Sequence, residues 1–377
     1  MKGLYYLLIV ILLLSACREP FDPDVPDHEN TLVVDGSITN EPPPYTVRIS
    51  RTSSLEYPEY KPFPGCTITL YDSEGQSEVL TERETGVYKT SATGIRGEPG
   101  KSYRIEITTN TGKHYRSDFV EMRESVSIDS AYAKIDYQQT KNFPEGLPGY
   151  QFYITTQRAS DDTSHLFWSL EETYEYTSDF GIDAIYENYR METNIPWDSL
   201  YRCWKTQDIK QIFTATTSNL IEPVIQGQPL HFVGTDTRQL MIRYSLKVKQ
   251  HSINQSTYQY WNNLKEQISE EDFFFGRQPF QVGGNLYNPE QPEDLIRGYF
   301  MVSSVESKRI FVKRPKVEFL YPTCVLDTSD KFLSFLPPDQ WPIYLARSQG
   351  KLGTAHDYCF DCRLRGGELR KPEFWDR

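Results

Sequence analysis

Residues 100–108, Gly-Lys-Ser-Tyr-Arg-Ile-Glu-Ile-Thr, carry an apolar side chain at every second position from Tyr103 to Ile107. Successive side chains of a strand point to opposite faces, so a period of two specifies a strand with one buried face. The same alternation recurs at 45–50 and at 66–71, which runs into a turn at 72–75. Residues 32–38 and 86–88 read as further strands, and Asn110-Thr111-Gly112 turns the chain back toward Tyr115. Short strands punctuated by turns predict a β-sandwich over residues 31–122.

A second, larger β-rich region is predicted over 128–314. Its strands are expected at 130–137, 150–157, 166–176, 203–216, 240–250, 298–304 and 309–313. Abundant aromatic residues, 14% of the chain, favour strands throughout. One helix interrupts this region. Ser256-Thr-Tyr-Gln259 has the form of a capping box, and Tyr258, Trp261, Leu264 or Lys265, and Ile268 follow at helical spacing. The connection 177–198 is long for a plain turn and reads as a functional loop. Residues 315–377 form a cysteine-containing extension.

The start of the chain sets the expectation for its location. Lys2 is followed by an apolar run from Leu4 to Leu14, the length of a signal-peptide core and too short for a spanning helix. Small residues then lead to Cys17. Leu14-Ser15-Ala16-Cys17 resembles a bacterial lipoprotein signal, which implies cleavage after residue 16 and lipidation of Cys17. Several acyl chains on one residue give firm anchorage, at roughly 0.8 kcal/mol per buried methylene. Residues 17–30, acidic and proline-rich, read as an extended tether. The formal net charge of −12 argues against nucleic acid, whose affinity comes from basic patches.

Six cysteines are present: Cys17, Cys66, Cys203, Cys324, Cys359 and Cys362. An exported chain permits disulfides, and with Cys17 lipidated an odd number remains. Cys324 is expected to pair with Cys359 or Cys362, and Cys203 to take the remaining partner. Cys66 reads as a core thiol. Cys324, His356, Cys359 and Cys362 also have the donor types of a zinc site, the alternative to a disulfide staple. No metal or other cofactor is assigned. Gly-x-Ser-x-Gly and His-Glu-x-x-His are both absent, so neither a hydrolase elbow nor a zincin helix is present. Glu171 and Glu172 adjoin on a predicted strand, so they face opposite sides.

The aromatics between residues 168 and 204 divide into two groups. Trp168 and Trp204 lie in predicted strands and are expected in the core. Tyr186, Tyr189 and Trp197, in the long connection, are candidate binding residues, because exposed Tyr and Trp are common interface anchors. Phe374 and Trp375 are expected to dock the end of the chain on the body.

Two resemblances extend these readings. Val34-x-Gly36, Gly65-Cys66-x-Ile68-x-Leu70-Tyr71-Asp72, Gly86-x-Tyr88 and Gly100-x-x-Tyr103-x-Ile105-x-Ile107 resemble the carboxypeptidase-regulatory or transthyretin-like fold, a scaffold without catalytic residues. A second series of motifs covers nearly all of the mature chain. It runs Tyr260-Trp261-x-x-Leu264-Lys265, Gln278-Pro279-Phe280, Gly284-Asn285-Leu286-Tyr287 and Gly298-Tyr299-Phe300-x-Val302-Ser303. It ends with Cys359-x-Asp361-Cys362-Arg363-x-x-Gly366-Gly367-x-x-x-Lys371-Pro372-x-Phe374-Trp375. The series resembles Bacteroidota lipoproteins of domain-of-unknown-function family 4249. That resemblance implies an accessory role beside a TonB-dependent outer-membrane receptor and supplies no catalytic residues.

The expected fold is mainly β: two β-sandwich-like domains, the first immunoglobulin-like or transthyretin-like, with a helix and a disulfide-stapled tail. The expected protein is a non-enzymatic lipoprotein, held to the outer membrane by its lipid and facing the exterior. Its expected work is ligand or partner binding in nutrient uptake. A structural or adhesive surface protein is the first alternative, and a surface hydrolase assembled from distant loops the second.

Overall fold

The computed structural model describes residues 30–53, 59–157, 163–270, 282–328, 338 and 341–376. The signal peptide, Cys17, the tether up to residue 29 and the Gln278-Pro279-Phe280 motif lie outside the described residues.

The structure is mainly β. Its first ten strands are β1 (Leu32–Thr39), β2 (Thr46–Arg51), β3 (Lys61–Pro62), β4 (Thr67–Asp72), β5 (Ser77–Val79), β6 (Thr81–Glu84), β7 (Val87–Lys89), β8 (Ser102–Thr108), β9 (His114–Ser117) and β10 (Val120–Glu121). Next come β11 (Ile128–Gln138), β12 (Leu147–Thr156), β13 (His165–Thr177), β14 (Ala184–Glu187), β15 (Arg190–Glu192), β16 (Arg202–Thr216), β17 (Gln228–Gly234) and β18 (Arg243–Ile253). The helix α1 (Gln255–Glu270) precedes β19 (Leu286–Tyr287), β20 (Ile296–Lys313), β21 (Ile343–Ser348) and β22 (Lys351–Gly353).

The period of two is visible in burial. On β8, Tyr103, Ile105 and Ile107 are buried while the residues between them are half-exposed. They meet Val34, Val47, Ile49 and Tyr88 from the facing sheet in one core. Asp72 ends β4 and holds the following turn, accepting from the backbone N–H of Glu74 at 3.0 Å and Gln76 at 2.8 Å.

Two distant strands complete this first sandwich. β19 pairs with β9, and the first half of β20 runs parallel to β1, with Leu32 opposite Ile296 and Thr39 opposite Ser303. Leu286, Ile296, Phe300 and Val302 are consequently part of the N-terminal core. The second half of β20 pairs antiparallel with β18, from Ser304 opposite Ser252 to Lys313 opposite Arg243. The expected strands 298–304 and 309–313 are therefore one strand of 18 residues. The backbone stays extended because a partner strand accompanies it throughout, first on the β1 side and then on the β18 side. At the changeover the Val305 N–H donates to Asn40 Oδ1 at 2.7 Å.

β20 links the first sandwich to the second. Strands β16, β13, β18 and β20 lie in one sheet, and β11, β12 and β17 form a separate three-stranded sheet. Phe152, Ile154 and Val233 of the smaller sheet share a core with Trp168, Tyr244 and Leu246 of the larger. The helix covers the other face of β13, where Trp261 stacks on Phe167 at 4.7 Å between ring centroids. The expected capping box is corrected. Asn254 caps the helix, its Oδ1 accepting from the Thr257 N–H at 2.8 Å, and the Ser256 hydroxyl donates to the same oxygen.

The C-terminal extension packs against the second sandwich through a small sheet in the order β15-β14-β21-β22. Trp375 is buried: its indole N–H donates to Glu175 Oε2 at 3.2 Å and its carbonyl accepts from Arg243 at 2.6 Å.

Candidate functional site

The aromatic residues of the long connection do not gather at one point. Tyr186 and Tyr189 belong to the β14–β15 hairpin, whose two-residue turn is Asn188-Tyr189. Both turn residues are left-handed, with φ of 52° and 60°. The tight reversal demands this conformation, and a bulky side chain adopts it only under strain. Tyr189 is 76% exposed. It stands edge-on to Trp341 at 4.8 Å, and Tyr186 meets the same indole edge-on at 6.0 Å. Trp197 is half-exposed and lies against Tyr201 at 4.7 Å, over Gly181, where no side chain would fit beneath it. Trp341 was not legible as part of this cluster, because only the β14–β21 pairing brings it beside the hairpin.

The cysteines form two staples. Cys203 joins Cys362, with Cα atoms 5.8 Å apart, and Cys324 joins Cys359 at 6.0 Å. Cys66 is free. Burial pushes its thiol up to about 11. Asp179 approaches the Cys324–Cys359 bridge closely enough for the three to resemble a ligand set. Both sulfurs are bonded to each other, however, and Asp179 is held by Arg238 at 2.8 Å and by Arg365 at 3.3 Å. These donors build a buried ion-pair cluster.

A further cavity lies elsewhere. It is a cleft of about 930 Å³ between β16 and β17, the edge strands of the two sheets of the second sandwich. Glu172 is at its floor, 1% exposed. The carboxylate accepts from Gln207 Nε2 at 2.5 Å, from Gln239 Nε2 at 2.7 and 2.9 Å, and from the Tyr244 hydroxyl at 2.8 Å. Burial, and then the adjacent carboxylate, raise the Tyr244 hydroxyl well above its ordinary value, so it stays a donor. His231 lies on the wall with Nδ1 2.9 Å from Gln211 Oε1. A carbonyl oxygen only accepts, so Nδ1 carries the proton and Nε2 presents a lone pair. Burial pushes the His231 pKa down and keeps the ring neutral. Phe213, Phe232 and Leu230 supply apolar walls.

One signal in the sequence marked this floor. Leu166, Trp168, Leu170, Tyr174 and Tyr176 are the buried register of β13, and Glu172 is the one carboxylate among them. The two glutamates do face opposite sides: Glu171 pairs with Arg309, and Glu172 points inward.

Fold and sites together define a mainly β protein of linked sandwiches, stapled at its C-terminal end by two disulfides. The chain belongs to the family described as "Domain of unknown function (DUF4249)", whose model matches residues 18–309. The matched span includes the aromatic hairpin and the cleft, and it ends within β20, before the small C-terminal strands. No curated protein matches the chain.

Proposed function

We propose that this protein is a non-enzymatic lipoprotein, anchored by Cys17 in the outer membrane and facing the exterior, and an accessory binding component of a TonB-dependent nutrient uptake system. The observation that carries this reading is the lipobox-like Leu14-Ser15-Ala16-Cys17 behind an apolar leader. The receptor link follows from the family resemblance. A tether of about a dozen residues, at no more than roughly 3.6 Å each, lets the body reach a neighbouring receptor without leaving the membrane surface. The hairpin bearing Tyr186 and Tyr189, with Trp341 of the C-terminal extension behind it and Trp197 on the same connection, is the proposed contact surface. Exposed aromatic anchors with restricted side chains suit that role.

Gentle detergent extraction followed by affinity capture tests the reading. Recovery of a large β-barrel receptor with the lipoprotein is the expected result. Recovery of the lipoprotein alone, or of Cys17→Ser protein still resident in membrane fractions, contradicts it.

A further inference from the structure

We propose that the cleft between β16 and β17 binds an organic cation, a ligand carrying a primary ammonium or guanidinium group. The inference is independent of the anchor and the receptor.

Its basis is the state of Glu172. A buried carboxylate is costly unless a cation accompanies it. Among the described residues, every hydrogen bond to the Glu172 carboxylate comes from a neutral group: two glutamine amides and a tyrosine hydroxyl. Among the described residues it forms no ion pair: Arg309 pairs with Glu171 on the opposite face. Lys210 and Lys265 belong to the lining of the same cleft. Charge-assisted hydrogen bonds hold the carboxylate in place, yet no cationic side chain touches it among the described residues. Asp208 and Asp236 add two further carboxylates to the lining.

The rest of the lining fits a donor-rich ligand. With its Nδ1 proton committed to Gln211, His231 offers Nε2 as an acceptor. Gln207 spends its amide nitrogen on Glu172, which leaves its carbonyl oxygen as an acceptor. An ammonium has three donors and a guanidinium five, with no acceptor to clash with these groups. Phe213 and Phe232 provide aromatic faces for a cation.

Agmatine carries both cationic groups and is the probe; galactose is the neutral control. Isothermal titration of the full-length chain in detergent is expected to show saturable agmatine binding and none for galactose. Glu172→Gln should weaken binding at least about tenfold. Because that variant also disturbs the buried hydrogen bonds, Asp208→Lys, at an exposed rim position, provides a second charge test and should weaken binding in the same direction. Absence of agmatine binding, affinity unchanged in both variants, or preference for galactose would each overturn the proposal.

Discussion

Val34 and Gly298 face each other across the parallel pairing of β1 and β20, and a Cβ on residue 298 would stand 1.9 Å from the Val34 carbonyl oxygen. Gly298 also has φ of 90°, a conformation open to glycine and strained for other residues. The same peptide is approached from its other side by Gly284, whose own Cβ would meet the Gly298 oxygen. Gly298→Ala should therefore cost at least about 3 kcal/mol, combining backbone strain with a steric clash. Chemical denaturation of wild type and variant checks this. A loss below about 1 kcal/mol would show that the strand pair is not as close as described.

The first sandwich depends on residues 286–303. A fragment of residues 31–122 lacks Leu286, Ile296, Phe300 and Val302, and so exposes part of its core and the β1 edge. It is expected to show weak near-ultraviolet dichroism and to bind a hydrophobic dye. A peptide covering residues 282–304 should restore ordered packing. Asn285 in that peptide matters, because its side chain accepts from the Phe300 N–H at 2.9 Å and donates to the Phe300 carbonyl at 2.8 Å.

His251 makes stability fall in mild acid. Its ring bridges three strands, with Nδ1 3.0 Å from Ser303 Oγ and Nε2 3.0 Å from Ser169 Oγ. Burial, and then Lys249, pushes its pKa down to about 3. The unfolded chain takes up the proton near pH 6.5 and the folded chain does not, so stability is full above that value and falls as pH drops toward 3. The slope from this group approaches about 1.4 kcal/mol per pH unit. Depressed values for His165 and His231 act with the same sign. Urea titrations at pH 7, 6 and 5 should show the decline, and His251→Gln should flatten it while lowering stability at pH 7. An unchanged slope in the variant contradicts the assignment.

Cys66 should resist alkylation. With its pKa raised to about 11 by burial, little thiolate exists at pH 8. Iodoacetamide should label it roughly a hundredfold more slowly in the folded protein than in urea. Rapid labelling of the native chain would mean an open thiol.

The strands were legible because one buried face leaves a period of two, as on β4 and β8. The parallel partnership of β1 with β20 was not, since nothing local in 32–39 marks a partner beginning at residue 296. The break expected between 298–304 and 309–313 has a related cause. Residues 305–308, Val-Glu-Ser-Lys, lack an apolar rhythm, yet β18 holds them extended. That Cys203, Cys324, Cys359 and Cys362 form two staples was legible from their number and positions, but which of Cys359 and Cys362 takes Cys324 was not, because both lie within one short turn-rich segment. The docking of the tail was legible from its aromatic end. The cleft was not, because its floor and walls come from separate strands and meet only at the open side of a finished sandwich. Glu172 alone marked it, as a carboxylate in an apolar register.

The most direct measurement is quantitative capture of the lipoprotein from detergent-extracted membranes, comparing wild type with the double variant Tyr186→Ser/Tyr189→Ser. Tyr189 is exposed, whereas Tyr186 is half-buried against the small core of Ala184, Ile343 and Leu345, so near-ultraviolet dichroism of the variant is recorded alongside to check that this core survives. A β-barrel receptor is expected in proportion to the wild-type protein, and its loss is expected with the variant. Wild-type lipoprotein recovered without a receptor, or equal recovery with both proteins, would contradict that expectation.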